Sequence, residues 1–550
     1  MAADDYMQLR SEIKQKFYGR FENKESSIGF ATNGTIKEIL SDEELGKLYD
    51  SLKCAAIRRL PENQQSFIKA IKNRMLYEFL AVLLFSECSL QAAEAFVKEM
   101  VIGVGAKDQR SRGEQPHYLP RTFDDLKTLF GDEMDARRFD EAQHRFCVIV
   151  VGHRDVVTIK AHDKRSLPWI DDLKEKPLGS GAYGVVRKVI IPPGHFTTDG
   201  NFGQFNSDRM SVALKSFTNV KSKKDFQQEV ENILKILDST ATHKNILTSL
   251  AAIAKETESP SFYLLMPLAE MDLKSYMEKD PKMDVTFKAS LISSAMGLAD
   301  GLNFLHNLVY DSPDQSTICY HLDLKPDNVL LFKKHPGSSN DDAMIWKLSD
   351  FGISRIKIME KEKKKEDLFN NPFKTETSQS GAVGASATHN VRGLSTFLPP
   401  EAGSQRQEMT EKSDIWSLGC IISVLFTYMA HGPQGVEQYS RDRMKQSNTP
   451  FDTFWQLRLI TGLNINKAVS SKHKSLIKEA YERNTTEADA VSSMLEFLEE
   501  KVLRTDKQKR CTAGQIREKL RKTCEAYSPE QAAAGSGSNS IKSGRERIEE

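Results

Sequence analysis

The chain has 550 residues, with 77 Lys plus Arg against 76 Asp plus Glu for a formal net charge of +1, a balance that argues against a polyanion binder held by phosphate neutralisation. This length allows two to four domains at roughly 100–200 residues each; no run approaches the ~18 consecutive apolar residues of a membrane span, and the opening MAADDYMQLR has no basic segment leading into an apolar one, so neither a membrane partner nor a secretory signal is expected. Seven scattered cysteines, none in a C-x-x-C pair, point away from a disulfide scaffold or zinc site and towards the cytoplasm, with the nucleus as the alternative.

Residues 1–171 read as a mainly helical accessory domain. Ser41 and Glu44 form an S-x-x-E capping box opening a helix with Leu45, Leu48, Tyr49 and Leu52 at helical spacing. Residues 64–85 are expected as a second apolar-striped helix and residues 89–100 as a third. The β-branched run at 146–151, ending at Gly152, predicts a strand. No repeat or catalytic cluster appears in this region, so it reads as a packing domain, with docking of an adaptor or regulator as the alternative role. From 172 to 526 strand and helix patterns alternate. The tail at 527–550 is small and polar, with AAAGSGSNSIKSGRER, and is expected to be disordered. The charge run MEKEKKKED at 359–367 reads as a solvated loop.

Leu178 opens L-G-S-G-A-Y-G-V-V, with Gly179, Gly181 and Gly184 around Ser180, Ala182 and Tyr183. Glycines at this spacing serve dinucleotide sites too, but there a helix must open after the loop. Here V-V-R-K-V-I-I follows and reads as a strand. Lys215 then ends S-V-A-L-K on a second apolar strand. A glycine hairpin beside a strand lysine suits a nucleotide whose phosphates lie close to the backbone and receive a point charge. That lysine needs a counter-charge to stay protonated and aimed. Glu229 and Glu231, on an expected helix at 226–237, are both candidates; Glu229 is preferred because Ile233 and Ile236 fall at the core positions that follow it.

The decisive stretch is Y-H-L-D-L-K-P-D-N-V-L-L at 320–331, followed by K-L-S-D-F-G at 347–352. Together with the glycine loop it resembles the eukaryotic protein kinase family, and D-L-K-P-x-N resembles its serine/threonine members. The resemblance implies an α+β bilobal domain at 172–526, with a small β-rich N-lobe at about 172–268 and a larger helical C-lobe at about 269–526. It implies transfer of the γ-phosphoryl group of ATP to Ser/Thr hydroxyls of protein substrates, with Asp323 taking the hydroxyl proton and Lys325 neutralising the moving charge. Lys215 and Glu229 would form the phosphate-holding pair. Asn328 and Asp350 would hold Mg²⁺, with Mn²⁺ as an alternative ion. The nucleotide would lie against residues 179–184, Val186, Ala213, Lys215 and Met266 as gatekeeper, with the Pro267 carbonyl and Ala269 N–H at the adenine. Asp272 reads as a surface aspartate rather than a ribose ligand. His243-Lys-Asn-Ile246 resembles the turn after the family's αC helix. Pro399-Pro400-Glu401 stands for its A-P-E motif and S-D-I-W-S-L-G at 413–419 for D-x-W-x-x-G, with Arg510 as the expected partner of Glu401.

Two positions depart from the family. Leu322 replaces the arginine of H-R-D, which in many kinases binds a phosphate on the activation loop; activity is therefore expected not to depend on phosphorylation read through this position. Leu394 stands where the family places a threonine that bonds the catalytic aspartate and lysine, so either a small shift of the loop brings the hydroxyl of Ser395 or Thr396 to Asp323 or that bond is absent. These departures support, as the alternative, a pseudokinase acting as a nucleotide-binding or scaffolding module. The insert at 192–210 and the segment at 350–401 are long and expected to be loop-like. The extension with R-F-D-E-A-Q-H-R-F-C-V-I-V-V and L-P-W resembles those of filamentous-fungal kinases. No nucleic-acid partner is expected.

Overall fold

The computed structural model describes residues 2–22, 29–57, 59–103, 119–160, 163, 165–171, 176–181, 184–198, 205–217, 243–256, 261–309, 315–334, 344–350, 355–360, 395–403, 408–447, 449–458, 462–483 and 485–527. The chain divides into two units, residues 1–223 with 249–268 and residues 224–248 with 269–550.

The described residues between 2 and 143 are mainly helical. The Ser41 hydroxyl caps Asp42–Cys54 by accepting the Glu44 N–H, while the Glu44 carboxylate turns to Lys47 and Lys16. The expected single helix at 64–85 is two, Gln64–Asn73 and Tyr77–Phe85. Met75 takes a left-handed backbone at φ 53° and breaks the run with neither glycine nor proline to announce it. Every residue from Phe79 to Phe85 is buried, and Phe79 meets Phe96 and Phe139 at ring distances of 5.5 and 4.6 Å. The expected helix at 89–100 is Leu90–Phe96, capped by Ser89 and running on into a π-helical turn at Val97–Ile102.

Of the strand expected at 146–151, the structure shows a single bridge at Val148 and a two-residue strand, Val151–Gly152. The insert at 192–210 is less loop-like than its sequence implies. Its Phe196–Thr197 pairs in parallel with Val151–Gly152. The Asn206 carboxamide oxygen accepts the N–H groups of His195 and Phe196, while its nitrogen donates to the carbonyls of Pro192 and Asp208. The main sheet of this unit is ordered Asp155–Lys160, Ala251–Glu256, Ser261–Pro267, Met210–Phe217, Gly184–Ile191 and Ile170–Asp171, with Gly179–Gly181 folded back on Gly184–Ile191. The first pair is parallel and the rest antiparallel. One face carries the apolar core of Val189, Val212, Leu214, Leu265, Ile253 and Trp169.

In the second unit Val285–His306 and Glu411–Gln446 run through a large apolar core with Lys467–Arg483, Thr485–Phe497 and Ala513–Ala526. Glu411–Gln446 is long and apolar enough to cross a membrane by length and composition, but 83% of its most apolar 18-residue window is buried inside the protein. It is a core helix, interrupted where Gly432 (φ 62°) leaves helical geometry ahead of Pro433. Short sheets carry the loops of interest: Met271–Asp272, Val329–Phe332 and Ile345–Leu348 form one, and Leu308–Val309, Gln315–Tyr320 and Arg355–Glu360 another.

Candidate active site

The glycine loop is a tight β-hairpin. Gly179 pairs with Val186 and Gly181 with Gly184; Ala182 and Tyr183, between them, lie outside the described residues. Gly184 has φ +151°, and a Cβ there would stand 2.1 Å from the Ser216 carbonyl oxygen of the neighbouring strand, so only glycine lets the two strands close up. Gly179 and Ser180 are exposed.

The two-residue period of the strands sorts the remaining positions. Val186 lies opposite Lys215, and Lys215 opposite Leu264. Ala213 lies opposite Met266. Val186, Ala213, Lys215 and Met266 therefore share one face of the sheet, and it is the face turned away from the Val212 and Leu214 core. Lys215 is partly exposed, with its ammonium 5.1 Å from the centre of the Phe217 ring. Pro267 ends its strand, and Ala269 is half-buried in the second unit. Glu229 and Glu231 lie outside the described residues, as does the rest of the expected helix at 226–237.

In the second unit the catalytic-loop residues come together. Asp323 is 8% exposed. Its carboxylate accepts from Lys325 Nζ at 3.1 Å and from Asn328 Nδ2 at 3.1 Å, and its carbonyl accepts from the same Asn328 nitrogen at 2.7 Å. With that nitrogen committed, the carboxamide oxygen of Asn328 is its remaining donor atom for a cation. Ser349 ties the D-F-G stretch to the loop, its N–H and Oγ both donating to the Asn328 carbonyl at 3.0 and 2.9 Å. Asp350 follows, half-buried, with φ 62°. Asn328 and Asp350 offer only oxygen, the donor set that suits Mg²⁺. Among the described residues no cluster of three or more His, Cys, Asp or Glu could hold a metal, so an ion would need these two residues together with oxygens of a ligand.

The loop is braced from behind. His321 Nε2 lies 2.8 Å from the Ser349 carbonyl, which can only accept, so that nitrogen carries the proton and Nδ1 receives the Asp323 N–H at 3.4 Å. Asp414, whose part sequence reasoning missed inside S-D-I-W, accepts the N–H groups of His321 and Leu322 at 2.8 and 2.7 Å and faces His306 Nε2 at 3.0 Å. This pair of hydrogen bonds offsets the left-handed backbone of Leu322 (φ 65°), a conformation that costs about 1–2 kcal/mol for a side chain with Cβ. The Leu322 side chain is buried with Tyr320, Leu398, Ala402 and Met409. An apolar cluster thus stands where the family's arginine would be.

Residues 243–248 dock on the same framework. Leu348 N–H donates to the Asn245 carbonyl, Leu247 N–H to the Leu348 carbonyl, and Asn245 Nδ2 to the Trp346 carbonyl at 2.8 Å. Asp272 caps Leu273–Met277 by accepting the Ser275 N–H at 2.7 Å. Glu401 and Arg510 form the expected pair, bidentate at 2.6 and 2.8 Å, with both side chains at most 1% exposed. Thr396 does not supply the hydroxyl for Asp323. Its hydroxyl donates to Asp452, a partner 56 residues away, rather than reaching for Asp323. Leu394 lies outside the described residues.

Comparison with known proteins agrees with this geometry. Residues 173–520 match the family model described as the protein kinase domain. The chain is 27% identical over 256 residues to a putative mitogen-activated protein kinase kinase kinase 7-like protein of Drosophila melanogaster, covering 46% of this chain and 48% of the relative. It is 27% identical over 330 residues to mitogen-activated protein kinase MKC1 of Candida albicans, covering 58% of each. It is 26% identical over 268 residues to LRR receptor-like serine/threonine-protein kinase IOS1 of Arabidopsis thaliana, covering 48% and 23%. The chain thus spans less than two thirds of each of these relatives. With the matched region taking in the glycine hairpin, the catalytic loop and the Glu401–Arg510 pair, the chain belongs to the eukaryotic protein kinase superfamily.

Proposed function

We propose that the chain is an active serine/threonine protein kinase using ATP. The observation that carries this reading is the buried Asp323 carboxylate, held at once by Lys325 and Asn328. In the proposed transfer, the acceptor hydroxyl oxygen bonds to the γ-phosphorus, the bond to the β–γ bridging oxygen breaks, ADP leaves, and the hydroxyl proton passes to Asp323. Lys325 stabilises charge on the moving group, so most of the rate comes from positioning and electrostatics. The sheet face of Val186, Ala213, Lys215 and Met266 takes the nucleotide, with the hairpin at 179–184 over its phosphates, the Pro267 carbonyl and Ala269 N–H at the adenine, and Glu229 holding Lys215. Mg²⁺ (or Mn²⁺) would rest on Asn328 and Asp350 and neutralise phosphate charge. D-L-K-P-x-N and the name of the LRR receptor-like serine/threonine-protein kinase relative favour Ser/Thr acceptors. The helical region at 1–171 is proposed as a docking site for an adaptor or regulator, and the cytoplasm as the working compartment.

The test is ³²P transfer from ATP–Mg²⁺ to the protein itself and to basic protein substrates, beside Asp323→Asn and Lys215→Met. Incorporation on serine or threonine that both substitutions remove is the expected result. Nucleotide binding without transfer would favour the scaffolding alternative.

A further inference from the structure

Residues 396–398, just ahead of Pro399-Pro400-Glu401, are fastened one by one to the segment that follows the Glu411–Gln446 helix. The Thr396 hydroxyl donates to Asp452 Oδ1. Phe397 packs its ring 6.1 Å from that of Phe454, and its carbonyl accepts from Ser417 Oγ at 2.9 Å. The Leu398 carbonyl accepts from Trp455 Nε1 at 3.1 Å.

The anchor for Thr396 is itself held rigidly. The other Asp452 oxygen accepts from Arg443 Nη2 and Ser440 Oγ, each at 2.7 Å, and the Asp452 carbonyl accepts from Arg443 Nε at 3.0 Å. The Arg443 guanidinium lies 4.1 Å from the Tyr439 ring centre and 4.2 Å from that of Phe454, and the residue is 3% exposed. Fully buried Asn466 spans the base of the network, donating to the carbonyls of Arg443 and Thr453 at 2.9 Å. An ion pair this dry is a weak source of net stability against an apolar replacement, but it fixes geometry tightly.

What it fixes lies against the catalytic loop, because Leu398 shares a buried apolar cluster with Leu322, the neighbour of Asp323. Residues 396–398 are thereby held beside the loop that carries Asp323, to which the acceptor hydroxyl must come. We infer that Arg443 and Asp452 are positioning residues for the protein substrate: through Thr396 they hold residues 396–398 permanently in the arrangement that a phosphate–arginine contact would otherwise hold on demand. The inference rests on the proposed kinase reading and deepens it.

The test compares Thr396→Val, Thr396→Ser and Asp452→Asn in the full chain. Two readouts are used: steady-state kinetics on a serine peptide that the wild type phosphorylates, and hydrogen exchange over residues 320–328 and 395–403. Losing one charge-assisted hydrogen bond should raise the peptide KM about tenfold in Thr396→Val. The KM for ATP should stay within roughly twofold, because the effect lies in acceptor placement rather than nucleotide binding. Thr396→Ser, which keeps the hydroxyl, should recover most of the loss, and Asp452→Asn should follow Thr396→Val with faster exchange at both segments. A Thr396→Val enzyme with unchanged peptide KM, or a Thr396→Ser enzyme as impaired as Thr396→Val, would overturn the inference. If the wild type transfers no phosphate, the kinase reading fails by itself; unchanged exchange at 320–328 in Thr396→Val then rejects the link independently.

Discussion

Replacing Glu401 with Gln isolates the energetics of the most deeply buried ion pair among the described residues of the second unit. Arg510 donates through both Nη atoms to Glu401, through Nη1 also to the Lys412 carbonyl and through Nε to the Arg504 carbonyl, and its guanidinium lies 5.0 Å from the Trp416 ring centre. The carboxylate also accepts from Ser413 Oγ at 2.9 Å. Glutamine keeps the shape but turns an NH₂ towards a guanidinium that cannot lose its proton, leaving one buried charge uncompensated. Breaking such a pair from one side costs about 3–5 kcal/mol, and since both side chains are at most 1% exposed, solvent screening offers little relief. At ~2–4 °C per kcal/mol for a domain of this size, the midpoint should fall by roughly 10 °C. Arg510→Met should cost a similar amount by stranding the carboxylate. The double variant Glu401→Met with Arg510→Met removes both charges and should recover a large part of the loss. Urea unfolding followed by tryptophan fluorescence measures all four proteins, since Trp346, Trp416 and Trp455 all lie in this unit. Single variants within about 1 kcal/mol of wild type, or a double variant losing the sum of the singles, would refute the argument.

Three further outcomes are expected. Gly184→Ala drives a Cβ into the Ser216 carbonyl at a backbone angle that favours glycine, so it should cost about 2 kcal/mol or more and weaken nucleotide binding; Gly179→Ala, with nothing within 4 Å of the added carbon, should differ little in urea unfolding. Leu322→Arg places a guanidinium in the apolar cluster of Tyr320, Leu398, Ala402 and Met409 and should lower phosphate transfer rather than raise it, whereas alanine at Thr375, Thr377, Ser378, Ser380, Ser386 and Thr388, all outside the described residues, should leave transfer intact in the same assay. Burial pushes the His195 imidazole down to about 4, so the unfolded chain takes up that proton first: its contribution to stability is complete above about pH 6.5, falls as the pH drops towards 4, and totals about 3 kcal/mol. His195→Leu should lose that part of the pH dependence, read as a smaller difference between urea midpoints at pH 7 and pH 5.

The parts of this chain that could be read beforehand are those whose chemistry lies within a few residues. The glycine hairpin closes over adjacent positions, and Asp323, Lys325 and Asn328 sit within one turn of chain, so spacing alone brings them together. Lys215 could be placed because strand alternation puts it on the face of Val186, Ala213 and Met266. The pairing of Thr396 with Asp452 left no trace in the sequence: an aspartate in S-N-T-P-F-D-T reads like any surface residue, and only the fold brings it across 56 positions. The break at Met75 was invisible for a different reason, since apolar spacing continues through 64–85 while one residue changes the sign of φ. The ordering of the insert at 192–210 depends on Asn206 satisfying four backbone groups at once, which composition cannot reveal.

Asp155–Lys160 has a consequence for where this kinase can be cut. It lies ahead of every kinase motif, yet it runs in parallel register along Ala251–Glu256, from Asp155 against Ala251 to Lys160 against Glu256. A fragment begun at residue 172, where the motifs start, would strip that cover and bare a row of unsatisfied amides beside the largely buried Ala251–Ala254, a template for sticking to other chains. It would also leave Phe196–Thr197 without the strand that it pairs with. The smallest piece that keeps its sheet closed at that border therefore starts before Val151.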